Sequence, residues 1–257
     1  MNKNKSSPPR ILVVEDEPDL RDTLGLNLEL QGWTVELAES GQAALEKLGA
    51  GDYDLVLTDL KMPGMDGLTL LDCIRAGPGE NLPVILMTGL VGVDIPGVYA
   101  RGVDALLIKP FDGMALGELV QRSLTPVSER WRLPIPVASG RRKTLRLVED
   151  SSLPQCLKEG RVQVGRGGFS LVVPEEVVQQ ESPGPGDLLQ FEIRFGGDSG
   201  PDRLAGVGTL RWVRQLPAVP GRHELGIEFT SLEEPMVSVV RELQREKSLR
   251  PYIPALP

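Results

Sequence analysis

The chain has 257 residues, 40% of them hydrophobic and 4% aromatic, with a net charge of −8; this is enough for two ordinary domains of soluble composition. Two cysteines, Cys73 and Cys156, allow one disulfide at most and no metal-ligand spacing, which points to a reducing, cytoplasmic setting. The opening MNKNKSSPPR precedes only four consecutive apolar residues, Ile11 to Val14, and no run is long enough to cross a bilayer, so a signal peptide and membrane insertion are excluded.

The charge is uneven. Residues 1–125 hold 10 Lys+Arg against 19 Asp+Glu, and residues 126–257 hold 18 against 17. An acidic first half repels phosphates, which argues against DNA binding there. A basic cluster follows it, with Arg130, Arg132, Arg141, Arg142, Lys143 and Arg146.

Residues 1–9 read as a disordered N-terminus. Ile11 to Val14 then reads as a buried strand and Pro18 to Gln31 as a helix with Leu20, Leu24 and Leu28 on one face. Thr34 to Leu37 is a strand, and Ser40 caps a helix to Leu48. Asp54 to Thr58 is a strand, and a helix runs from Asp66 to Gly77. Pro83 to Met87 and Ala105 to Ile108 complete five strands, and Asp112 to Leu124 is the last helix. The alternation predicts a doubly wound, flavodoxin-like parallel sheet over residues 10–125. Between Leu90 and Arg101, Gly92, Pro96 and Gly97 predict a short or distorted helix.

Residues 126–140 hold three prolines and read as a linker or extended arm. Beyond them the period becomes two. Arg161 to Val164 and Phe169 to Val173 read as a hairpin around Gly165 and Gly167. Leu189, Phe191, Ile193 and Phe195 share one strand face, as do Leu225, Ile227 and Phe229, and Leu204 to Val213 is a long strand. An all-β antiparallel sheet or barrel is expected over residues 141–247. A closing helix around Pro235 carries Met236, Val239, Val240 and Leu243 on one stripe, and residues 248–257 form a tail. The sole histidine, His223, shares parity with Leu225 and reads as a strand start, which leaves no phospho-histidine site.

Glu15, Asp16, Asp59, Thr88 and Lys109 each fall at the C-terminal end of a predicted parallel strand, where open α/β sheets place their sites. Three carboxylates at one sheet edge repel unless a cation joins them, and hard oxygens suit Mg²⁺. A hydroxyl and an ammonium beside them supply donors for a phosphoryl group. The runs ILVVEDEP, LTDLKMPGMDG, VILMTG and LLIKPF resemble, in order and spacing, the motifs of response-regulator receiver domains. The resemblance implies that Asp59 takes phosphate from a sensor histidine kinase or small phosphodonor. It implies Mg²⁺ held by Asp16 and Asp59 directly, by Glu15 through water and by the Lys61 carbonyl. Lys109 would pair with a phosphoryl oxygen before a cis Pro110, and Thr88 would move on activation. The aromatic residue that many receivers carry three positions before the lysine is Leu106 here, expected as a core leucine.

In the second half, EGRVQVGRGGFSLVVP and GTLRWVR with HELGIEFTSL resemble PilZ domains, small β-barrels that commonly bind cyclic di-GMP. The family's Arg-x-x-x-Arg arm is met by Arg142 and Arg146, with Arg130 and Arg132 as the alternative arm. Its Asp/Asn-x-Ser-x-x-Gly motif is met as Gln163, Gly165 and Gly168, keeping only the last glycine, as the turn demands. Two outputs therefore stand side by side. One is a cyclic di-GMP sensor controlled by Asp59; the other is a nucleotide-independent adaptor docking an unidentified output protein, in motility or surface behaviour. No helix-turn-helix pattern is found, so no DNA binding is expected, and the chain is read as a signalling protein rather than an enzyme.

Overall fold

A computed structural model describes residues 7–89, 92–130, 142–196, 203–232, 237, 238, 240 and 253–255. Its contacts divide the chain into two compact units, one of residues up to Val93 with Arg101–Thr125, the other of Asp94–Ala100 with residues from Pro126 onward.

The first unit alternates β1 (Arg10–Val14), α1 (Pro18–Leu30), β2 (Thr34–Ala38), α2 (Gly41–Ala50), β3 (Leu55–Asp59), α3 (Gly67–Ala76), β4 (Val84–Thr88), β5 (Ala105–Ile108) and α5 (Gly113–Leu124). The five strands form a parallel sheet in the order β2-β1-β3-β4-β5. β3 and β4 are buried along their whole length, as strands covered on both faces must be. The predicted cap is present, Ser40 accepting from the Ala43 amide, and the helix-start residues Asp66 and Asp112 prove to be caps too, accepting from the Thr69 and Ala115 amides; each satisfies an orphan donor of a first turn. Order reaches back to Pro9, whose carbonyl accepts from the Thr34 amide at 3.0 Å. A buried ion pair ties this unit together. Arg75 on α3 donates to Asp104 at 2.8 Å, to the Gly102 carbonyl and to the Leu82 carbonyl.

The short helix expected between β4 and β5 is α4 (Ile95–Ala100), six residues long. It groups with the second unit, where the Tyr99 ring lies 5.5 Å from that of Trp212. That unit continues with α6 (Val127–Arg130), β6 (Arg142–Glu149), α7 (Leu153–Lys158), β7 (Val162–Val164), β8 (Gly168–Pro174), α8 (Glu175–Glu181), β9 (Leu188–Phe195), β10 (Arg203–Gln215) and β11 (Arg222–Leu232). The sheet order is β6-β9-β10-β11-β8-β7. Its core is built on Phe169, Phe191 and Phe229, with ring centroids 5.0 to 6.5 Å apart. Leu145 of β6 and Val162 of β7 join the same core although their strands are opposite edges, so the sheet curls. Arg161, just before β7, pairs with Glu149 at the end of β6.

Three expectations change here. The sheet is mixed, because β6 runs parallel to β9. The stretch containing Arg142 and Arg146 is strand β6 rather than an arm, and α6, α7 and α8 had no clear period in the sequence. Gly168 is required by packing instead of a turn: its φ is not positive, but a Cβ there would collide with the Ile227 carbonyl oxygen. The closing-helix positions Pro235, Met236, Val239 and Leu243 lie outside the described residues.

Candidate functional site

The parallel sheet carries β1, β3, β4 and β5 to one edge, and their last residues meet there. Asp59 ends β3 and is 7% exposed; Thr88 ends β4 and is 4% exposed. Asp59, Leu60, Lys61, Thr88, Gly89 and Lys109 line one cavity of about 310 Å³. The Lys109 amide donates to the Thr88 carbonyl at 2.8 Å, which fixes the lysine beside the threonine, and the Lys109–Pro110 peptide is cis.

Both oxygens of Asp59 have donors. The Lys109 ammonium binds Oδ1, and the Lys61 amide donates to Oδ2 at 2.7 Å. The same ammonium donates to Glu15 Oε2 at 3.0 Å. Burial pushes the Glu15 carboxyl above its ordinary range, against the pull of Lys109. For Lys109 burial works to lower the pKa, but the hydrogen bonds and charges of Asp59 and Glu15 outweigh it and raise the pKa.

Of the three expected carboxylates, Glu15 and Asp59 are brought to one cation, the Lys109 ammonium, while Asp16 is exposed beside them. Among the described residues no trio of His, Cys, Asp or Glu is gathered to hold a metal. The donor set nevertheless has the hard oxygen chemistry that suits Mg²⁺. Lys61 takes part through its amide in this structure.

Two supporting residues escaped the sequence reading. Arg21 of α1 donates to the carbonyls of Glu15 and Asp16 at 2.8 and 3.4 Å, bracing the acidic loop. Gly67 opens α3 so close to Asp59 that a Cβ would strike the Asp59 carbonyl oxygen; the glycine in MPGMDG was the available signal. Leu106 is only half-buried and lies outside the core cluster that takes Ala105 and Leu107, so the expected core leucine is corrected.

In the second unit the tentative ligand residues fall on the two edge strands of the curled sheet. Arg142 and Arg146 are exposed on one face of β6. Gln163 lies on β7 opposite Ser170, and Gly165 donates its amide to the Gly168 carbonyl at 2.8 Å, closing the β7–β8 hairpin. Arg130 is 4% exposed at the end of α6, which does not suit a solvent-facing arm, and Arg132 lies outside the described residues.

A doubly wound parallel sheet with an aspartate, a threonine and a lysine together at its carboxyl edge is the architecture of a receiver-type unit. Residues 11–121 match the response regulator receiver domain family, and this part of the chain is a response regulator receiver domain of a two-component system. The chain is 38% identical over 154 residues to the transcriptional activator protein PfeR of Pseudomonas aeruginosa, covering 59% of this chain and 48% of that protein. It is 32% identical over 182 residues to the transcriptional regulatory protein GlrR of Escherichia coli, covering 68% and 40%. The structure of the response regulator TrrA of Thermotoga maritima, in complex with Mg²⁺-BeF, is 35% identical with a TM-score of 0.42, covering 45% of this chain and 98% of that one. The chain thus spans about half or less of the length of these curated relatives. Receiver domains typically use Mg²⁺ in phosphorylation. No described helix is long and apolar enough to cross a membrane.

Proposed function

We propose that the chain is a two-component response regulator switched by phosphorylation of Asp59 from a cognate sensor histidine kinase or a small phosphodonor. The observation that carries this reading is the cavity in which Asp59, Thr88 and Lys109 converge. A carboxylate oxygen of Asp59 attacks phosphorus, an acyl-phosphate O–P bond forms, and the donor's bond to phosphorus breaks. Lys109 and the Thr88 hydroxyl then stand within the same cavity to bind phosphoryl oxygens. Mg²⁺, when held by Asp16 and Asp59 with Glu15 behind them, supplies positive charge to the phosphoryl oxygens. With Mg²⁺ and acetyl phosphate the wild type should gain one phosphoryl group by intact mass. Asp59→Asn and Asp16→Ala should gain none, and equal labelling of the Asn variant would refute the assignment.

For the output unit the PilZ-like reading rests on the β7–β8 hairpin and the β10–β11 pair. Within that reading, a nucleotide-independent adaptor is favoured over a cyclic di-GMP sensor. Gln163 and Gly165 stand where that family's motif has a short carboxylate or amide and a hydroxyl, so two polar contacts to a nucleotide are altered. The names of the relatives raise direct transcriptional control. Against it, α7 and α8 each lie between two strands of the second sheet instead of forming an adjacent helix pair that could enter a groove. Calorimetric titration of the full chain with cyclic di-GMP should show no binding for the adaptor; saturable binding lost in Arg142→Ala would restore the sensor.

A further inference from the structure

Glu15 and Asp59 are held at the carboxyl edge by their own side chains, whereas Asp16 is not. The Glu15 amide donates to the Ala38 carbonyl at 3.1 Å, and its carboxylate accepts from Lys109 at 3.0 Å. The Asp16 carboxylate is exposed and has no hydrogen-bond partner among the described residues. Where it points is therefore set by the backbone of the loop between β1 and α1.

Arg21 ties that loop down. α1 begins at Pro18, and Arg21 is its fourth residue. Side chains on a helix lean toward its N-terminus, so the Arg21 stem runs back over the first turn. Its Nη1 donates to the Glu15 carbonyl at 2.8 Å and, over a longer 3.4 Å, to the Asp16 carbonyl. A cation at the start of a helix works against the helix dipole, and Glu17, Asp19 and Asp22 stand close by in the sequence as carboxylate partners. Among the described residues Arg21 forms no ion pair with any of them; its guanidinium is committed to the two carbonyls. Position and charge act on a bound cation in opposite senses. A carboxylate held in place beforehand spares the cost of ordering it on binding, whereas a nearby guanidinium repels a second cation. Arg21 is half-buried, so water screens its charge, while groups that orient metal ligands change metal affinity by about 10–100-fold. Orientation outweighs repulsion.

We propose that Arg21 is a positioning residue for Mg²⁺, acting through the carbonyls of Glu15 and Asp16 to present the Asp16 carboxylate to the cation. The proposal rests on the receiver reading of Asp59. The test titrates the full-length chain with Mg²⁺ alone, without phosphodonor, and follows the backbone amides of residues 15–17 and 59–61 by NMR. In the wild type these amides should shift saturably, and Asp16→Ala should abolish the saturation. Arg21→Ala should weaken Mg²⁺ binding by about tenfold, while the amides of the second unit keep their wild-type positions and so report an intact fold. Arg21→Lys, which keeps the charge and a shorter donor, should fall between the two, and it carries the test where the alanine variant does not fold. A guanidinium acting through charge alone would make Arg21→Ala bind Mg²⁺ more tightly. That result, or wild-type affinity in either Arg21 variant, overturns the proposal and leaves the receiver reading standing. Absence of saturable shifts in the wild type itself would overturn both.

Discussion

The two units place charged residues by opposite rules. In the receiver, Asp59, Thr88 and Lys109 are far apart in the chain yet line one cavity, because parallel strands all end at the same edge. In the second unit, charges alternate along strands and meet across them: Arg214 with Glu224 at 2.7 Å, Arg211 with Glu228, Arg203 with Glu192 at 3.9 Å. Sequence spacing in a parallel α/β sheet therefore reports a site. In a curled, mixed sheet it reports only a face, and the neighbour depends on register.

Buried ion pairs offer the sharpest test of that contrast. Arg75 and Asp104 are 5% and 1% exposed, whereas Arg211, the partner of buried Glu228, is 27% exposed. Removing one member of a fully buried pair strands a charge, so Arg75→Ala should cost about 3–5 kcal/mol. Arg211→Ala, where water can reach the site, should cost about 1–3 kcal/mol. Urea denaturation checks the order, and equal losses would remove the distinction. Gly168→Ala should follow at about 1–3 kcal/mol, because the added methyl meets backbone that cannot step aside. Leu106→Ala should cost only about 1–2 kcal/mol, being half-buried; a loss above about 3 kcal/mol would put Leu106 back in the core.

Smaller effects probe the ligand motif and the sheet's opposite end. Gly165 is not among the glycines with positive φ, so Gly165→Ser demands no left-handed backbone from the new side chain. With Gln163→Asp it should raise cyclic di-GMP affinity about tenfold, near 1.4 kcal/mol, if hairpin and arginines form one site. No gain in a folded variant would support the adaptor. Glu36 is held at about 2 by hydrogen bonds from Lys47 and Tyr53 against the cost of burial, with Arg10 adding to them. Its folded pKa lies below the ordinary 4.5, so its stabilisation is present above that pH and lost as pH falls toward 2. Glu36→Gln should flatten this acid limb of the stability curve, read by thermal melts between pH 5 and 2.

The order and type of every receiver strand were legible, because Ile11 to Val14, Asp54 to Thr58 and Pro83 to Met87 are apolar runs of strand length between capped helices. The strand-end residues of the site were legible for the same reason. Arg142 to Glu149 was not: its basic residues alternate with only moderately buried ones, and a strand at a sheet edge needs little apolar content. Leu106 was misjudged because an apolar residue in a strand of four says nothing about which face the fold covers.

By itself, then, the sequence determined the receiver's elements, its cap at Ser40, the helix starts at Asp66 and Asp112, and the residue types at its carboxyl edge, all of which follow from local periodicity and backbone hydrogen bonding. Only the tertiary structure decided that the Lys109 ammonium is shared by Glu15 and Asp59, that β6 joins β9 in parallel, and that Arg203 of β10 faces Glu192 of β9. Those outcomes depend on register and close approach between segments distant in the chain, which side-chain spacing along one strand does not encode.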